Sequence, residues 1–205
     1  MTKRDDILEA TLDLVVDEGL ASFSFSKLFE RAGVGAGTVY NYFRGKDALL
    51  EALYAEVTAR MDAQVLRLWS AEATVRDQFD AIFRGFAVFA LEHPREVAFI
   101  EHCAIASSIP RTLKDRATPA QDAGLKLIVR GQKEGLLRPM NPRLALAIAS
   151  GMVASVIAAI PSQKYAFGKR ELDVLMEATW RSLAADGTPE RRAKPRAVRH
   201  HSKRS

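Results

Sequence analysis

Apolar residues in this chain recur three and four positions apart almost from end to end, and strict alternation is rare. That period fits helices with one dry face and excludes a sheet-dominated fold, so an all-α architecture of about nine helices is expected. Ile7, Thr11, Leu14 and Val15 line one face of a first helix, which Gly19 stops. A short helix runs from Ser24 or Phe25 to Ala32 and ends at Gly33; another spans about Ala36 to Phe43 and stops near Gly45. A long helix starts at Lys46-Asp47 and carries Leu49, Leu50, Leu53, Val57, Met61 and Leu68. Phe79, Phe83, Phe86 and Phe89 mark a thick apolar helix from Val75 to Leu91, ended by His93-Pro94. Further helices follow from Arg95 to about Ile109, before Pro110, and from about Ala120 to Lys133, before Gly135. The last two cover Leu144 to Ile160 and Arg170 to Ala185. This punctuation divides the chain into a small N-terminal domain (1–46), a larger helical domain (47–186) and a tail (187–205).

Composition narrows the classes. With 205 residues, 48% hydrophobic content and 16 aromatics, the chain can bury a sizeable core and is not a disordered or low-complexity protein. One cysteine, Cys103, excludes an internal disulfide framework and a multi-cysteine zinc site. Met1-Thr2-Lys3-Arg4 leads into Asp5-Asp6 with no apolar run behind it, so a cytoplasmic, reducing location is expected. The segment from Leu144 to Ile160 holds 17 residues and no charge, at the lower limit of a membrane span. Its small stripe (Ala147, Gly151, Ser155, Ala159) beside a bulky one (Leu144, Ile148, Met152, Val156, Ile160) instead favours a helix buried on all sides by protein, and no membrane partner is expected. The net charge of +5 sits in the tail, where seven Lys or Arg face Glu190 alone for +6, leaving −1 on residues 1–186. Such a tail adds non-specific polyanion affinity or merely keeps the end soluble.

The informative stretch is Ser24-Phe25-Ser26-Lys27-Leu28-Phe29-Glu30-Arg31-Ala32-Gly33-Val34-Gly35-Ala36-Gly37-Thr38-Val39-Tyr40-Asn41-Tyr42-Phe43-Arg44-Gly45-Lys46. Two short helices joined by a tight turn at Gly33 form a helix-turn-helix pattern. On the second, Val39 and Phe43 are spaced to pack inward, while Thr38, Asn41 and Tyr42 share the opposite face. That face offers hydroxyl and amide groups to phosphates and base edges, although a plain solvated surface has the same composition. Lys27, Arg31, Arg44 and Lys46 against Glu30 give residues 24–46 a local charge of +3.

In ordered combination, these residues resemble the tetracycline-repressor (TetR) family of helix-turn-helix regulators. The matching positions are Ile7-Leu8-Glu9-Ala10, Glu18-Gly19, Ala32-Gly33-Val34, Gly37-Thr38-Val39-Tyr40, Tyr42-Phe43, Lys46 and Leu49-Leu50. The resemblance implies a recognition helix from Gly35 to Tyr42 in the major groove of a double-stranded operator. Within it, Thr38, Tyr40 and Tyr42 would meet phosphates, and Ala36 and Asn41 would face bases. Lys46 would bind a phosphate at the next helix start, with Ser24 and Lys27 completing the DNA-contacting set. Two positions depart from the pattern: Gly35 replaces a capping serine, and Phe29 replaces a small residue between the two helices.

The resemblance further implies a homodimer through the last two helices, with Ala147, Gly151, Ser155, Leu172, Leu175 and Thr179 at the interface. Such a dimer places its recognition helices about 34–36 Å apart on a palindromic operator. Phe83, Phe86, Phe99, His102, Cys103 and Met152 are candidates for an apolar pocket, though stripes at this spacing are often plain core. Neighbouring side chains in Glu101-His102-Cys103 diverge on a helix, so no catalytic site is read there. No metal or cofactor motif stands out. The function expected is a ligand-responsive transcriptional regulator, a repressor released by a small effector of apolar character. The competing reading is a helical small-molecule-binding protein or enzyme with a vestigial DNA-binding domain, favoured only by Phe29 and Gly35.

Overall fold

A computed structural model describes residues 2–105, 118–162 and 167–187, and among them it has nine α-helices and no β-strand. In chain order these are α1 (Lys3–Glu18), α2 (Phe25–Ala32), α3 (Ala36–Tyr42), α4 (Lys46–Leu66), α5 (Val75–Glu92), α6 (Pro94–Ile105), α7 (Pro119–Lys133), α8 (Pro142–Ala159) and α9 (Lys169–Leu183). The expected positions Ile109 and Pro110 and the tail from residue 188 onward lie outside the described residues.

Local chemistry sets the helix ends. Thr2 and Asp5 cap α1 reciprocally, side chain to backbone in both directions. Gly33 turns the chain between α2 and α3 at φ +61°, a left-handed conformation open to glycine at little cost. Pro94 and Pro142 each begin a helix, where the missing N–H loses no bond, so α6 and α8 start earlier than their apolar runs suggest. The long helix stops at Leu66, and Leu68 is exposed rather than part of its apolar face. The amide of Gln78 donates to the carbonyls of Ser70 and Ala71, at 2.7 and 3.1 Å, and holds the connection to α5.

Two apolar cores result. The first joins Ile7, Leu14 and Val15 of α1 to Leu28, Val39 and Phe43, and to Leu49, Leu50, Leu53 and Val57 of α4. Phe99 and Cys103 of α6 belong to it as well. The second collects Phe79 and Phe83 of α5, Leu127 and Ile128 of α7, Val153 of α8, and Met176 and Trp180 of α9, with Val65 from the far end of α4. Helix α4 therefore runs through both. Where α4 and α5 cross, a Cβ on Gly85 would stand 2.8 Å from the Val65 Cα, so the backbones touch. The end of α9 is tied to the α7–α8 connection, with Arg138 N–H donating to Leu183 O at 2.8 Å and Ala185 N–H to Leu136 O at 2.9 Å.

Helix α8 corrects one expectation. Only Ala145, Ala149, Val153 and Ile157 are buried, a single stripe packed into the second core, so the helix is not enclosed on all sides. By length and a mean hydropathy of 1.6 it passes the test for a membrane span, yet the buried stripe is that of a helix packed into a protein core.

Candidate nucleic-acid interface and effector cavity

Helix α3 has seven residues, and Val39 alone among them is fully buried. Leu28 of α2 is likewise inaccessible, so these two side chains and Phe43 anchor the two-helix unit on the first core. The rest of α3 is free. Ala36, Gly37, Tyr40, Asn41 and Tyr42 are exposed, the two tyrosines by 54% and 49%, and Thr38 is half-buried. Thr38, Asn41 and Tyr42 share one outward side and offer a hydroxyl, an amide and a phenol suited to phosphate oxygens and base edges, while the Tyr40 phenol stands beside Phe25. Gly35 caps α3 through its backbone alone.

Aromatic rings brace this unit. Phe29 stacks on Phe25 at 5.9 Å, and Phe25 leans on Tyr40 at 5.5 Å, so the phenyl flagged as unusual rests on a neighbouring ring. Ser24 is exposed, and its hydroxyl accepts from Lys27 N–H at 3.4 Å as the cap of α2.

The cations are less free than their number suggests. Lys27 pairs with Glu18 of α1, and Arg31 reaches Asp17 at 2.7 Å, so two of the four local positive charges are neutralised by α1. The Lys46 ammonium is half-buried, donates to Leu20 O at 3.2 Å and lies 5.2 Å from the Phe23 ring centre. It ties the start of α4 to the α1–α2 connection. Arg44 is exposed in the α3–α4 turn and makes no ion pair among the described residues. Sequence reasoning counted Arg44 in the local charge without naming it among the candidate DNA contacts; its position two residues after α3 was the available signal.

A partly open cavity of about 460 Å³ lies in the larger core between α4, α5, α6, α7 and α8. Met61, Val65, Ile82, Phe83, Phe86 and Val97 form much of its apolar wall. Ile100, Leu125 and Leu146 add to that wall, and Gln121, Ser150, Arg143 and Glu101 supply polar groups. Beside it, the buried Asp62 carboxylate accepts from the Thr118 hydroxyl at 2.8 Å and from Ala120 N–H at 3.2 Å, tying α4 to the start of α7.

Of the pocket candidates, Phe83 and Phe86 line this cavity. Phe99 and Cys103 do not: they are fully buried in the first core, because α6 turns that face toward α1 and α4. His102, on the same helix, is absent from the lining, and Met152 accepts a contact from the Thr179 hydroxyl at 3.4 Å, facing α9 rather than the cavity.

Of the interface candidates, Ala147, Gly151 and Ser155 are exposed along α8. Leu175 and Thr179 are corrected: both are buried within the chain, and the Thr179 hydroxyl donates to Leu175 O at 2.8 Å. Leu172 is half-buried against the second core. The free face of α9 instead carries Val174 and Ala178, flanked by Arg170, Asp173 and Arg181.

A short, sparsely anchored helix with a polar rim, set across a second helix by a left-handed glycine, is the geometry of the helix-turn-helix DNA-binding proteins. Residues 7–53 match the family model described as bacterial regulatory proteins, tetR family, and residues 54–185 match that of the tetracyclin repressor-like C-terminal domain. The chain belongs to the TetR family: it is a transcriptional regulator with a DNA-binding helix-turn-helix, not an enzyme. An uncharacterized HTH-type transcriptional regulator of Haemophilus influenzae is 24% identical over 180 residues, covering 87% of this chain and 94% of that protein. The HTH-type transcriptional regulator BetI 1 of Chromohalobacter salexigens is 34% identical over 84 residues, a match covering 40% of this chain and 42% of that relative. Crystal structures of TetR-family regulators from Marinobacter aquaeolei VT8 and Haemophilus influenzae share the fold, with TM-scores of 0.80 and 0.71 at 20% and 22% identity. Each covers 89% of this chain and 96% of its own.

Proposed function

We propose that this regulator is a cytoplasmic repressor that binds a palindromic operator as a homodimer and is released by a small effector of apolar character. Residues 1–46 carry the reading surface, residues 47–186 the cavity and the dimer face, and the tail adds charge. One observation carries the reading. Helix α6 presents Phe99 and Cys103 to the DNA-binding core, while Val97, Ile100 and Glu101 of the same helix line the cavity.

A ligand that prefers one placement of α6 thereby biases the placement of α1 to α4. A ligand with equal affinity for both placements shifts nothing. Exposed apolar side chains on α8 and α9, with Leu144 at 55% and Val174 at 62%, support a second copy covering that face. Two-fold pairing then presents two α3 helices to successive major grooves.

The test uses an operator selected from random duplexes and titrated at fixed salt. Tyr42→Ala and Lys46→Ala weaken operator binding while sedimentation still reports the wild-type assembly. Arg44→Ala lowers affinity across sequences and reduces the salt slope by about one, as expected for a phosphate contact. Unchanged binding in Tyr42→Ala and Lys46→Ala would overturn the assignment of α3 and the α4 start as the reading surface.

A further inference from the structure

We propose that a second copy of this chain supplies the missing edge of the effector cavity, with the two-fold axis passing at Gly151, so that effector binding and dimerisation are linked. The inference rests on the dimeric, effector-responsive reading above. It starts from how α8 distributes its residues at about 100° per residue. One side, Ala145 to Ile157, is buried in the second core. The adjoining side lines the cavity through Leu146, Ser150 and Ala154. The next is exposed at Leu144, Ile148, Ser155 and Ala158. Ala147 and Gly151 belong to both of the last two: they line the cavity and are exposed. The rim of the cavity and the edge of the uncovered face are therefore the same residues.

The occupant of that face is read from its own pattern. No residue from Leu144 to Ile160 is charged, so the face offers nothing to select an oppositely charged partner. Its exposed side chains are bulky toward the start of α8, at Leu144 and Ile148, and small toward its end, at Ser155 and Ala158. Antiparallel packing about Gly151 sets Leu144 against Ala158 of the partner subunit and Ala147 against Ser155 of the partner subunit. That is the self-complementarity a two-fold contact requires.

Gly151 itself adds an independent argument. Glycine inside a helix is less favourable than alanine, and a Cβ at Gly151 would meet nothing within 4 Å in its own chain. Nothing within one copy calls for a glycine there, whereas close approach of a second α8 does. With that copy seated, small side chains wall the cavity on the α8 side opposite the Phe83 and Phe86 rings. The ligand it suits has an apolar body buried among them and a polar end at Arg143 and Glu101.

The experiment uses the full chain, with 1-anilinonaphthalene-8-sulfonate as the probe. Val97→Phe fills the cavity from α6, so only dye binding lost in Val97→Phe counts as cavity binding. Ile148→Glu puts a charge into the contact between copies; Ile148 is exposed and does not line the cavity, so the variant folds and becomes monomeric by sedimentation. Cavity binding of the dye in this variant weakens at least about fivefold, the lower range of typical coupling between sites. Saturating dye tightens the wild-type dimer by the square of that factor, at least about 25-fold, because each dimer carries two cavities. An Ile148→Glu protein that stays dimeric, or that is monomeric with unchanged cavity affinity, overturns the inference and leaves the dimeric reading standing. A wild-type protein that is monomeric at every concentration overturns both. Dye binding that is absent, or insensitive to Val97→Phe, overturns the cavity reading and the inference with it.

Discussion

Asp17 is shared by two helices outside its own. Arg31 of α2 reaches its carboxylate at 2.7 Å and Arg95 of α6 at 2.8 Å, while Arg95 also holds Asp13. The bond from Arg31 first, then that from Arg95, holds the Asp17 carboxyl below its ordinary value of 3.8. A depressed carboxyl favours the folded state above its unfolded value and loses that contribution as pH falls through the folded one. Asp17→Asn therefore lowers stability at neutral pH, and the gap to wild type closes as pH drops below 3.8, as urea melts across a pH series would record. A gap that persists unchanged at low pH would assign the effect to something other than charge. These pairs explain what sequence reading missed about the local charge. Lys27 and Glu18 lie nine positions apart and Arg31 and Asp17 fourteen, across a turn whose course only the fold determines. The inward direction of Val39 and Phe43 was legible because it follows from spacing within one short helix.

Helices were readable as elements because apolar period, glycines and prolines all mark the same ends. Their orientation was not, since an amphipathic stripe says that a face is dry without saying against what. Phe99 and Cys103 illustrate the difference: their burial follows from the pattern, but their place in the DNA-binding core follows from α6 packing on α1. Leu175 and Thr179 did the same on α9, turning inward where an interface was expected. Close contacts between elements were also hidden in the sequence. Gly85 permits the α4–α5 crossing, and its Cβ would press on the Val65 Cα at 2.8 Å and its carbonyl oxygen at 3.0 Å. Gly85→Ala gains helix propensity yet destabilises the protein by about 1–3 kcal/mol, because backbone must move to admit a methyl. A chemical melt in which Gly85→Ala equals or exceeds the wild type would contradict backbone contact at this crossing.

The charge of the whole molecule is a separation rather than a sum: −1 over residues 1–186 and +6 over 187–205. With Lys27 and Arg31 paired to α1, the reading surface has few free cations of its own. Deleting residues 187–205 is expected to reduce non-specific DNA affinity and its salt slope while preserving preference for the operator. Titrations of specific and random duplexes across a salt series measure both, and loss of sequence preference on deletion would contradict this division. The two cores differ in one further respect. Both tryptophans of the chain, Trp69 and Trp180, pack in the second, and none lies in the first 68 residues. Trp180 meets the Phe79 ring edge-on at 5.1 Å and lies 4.7 Å from the Arg76 guanidinium. Tryptophan emission from this molecule consequently reports on the cavity half alone. Its DNA-reading half is optically silent at those wavelengths, so the cavity half can be followed by itself without attaching a label.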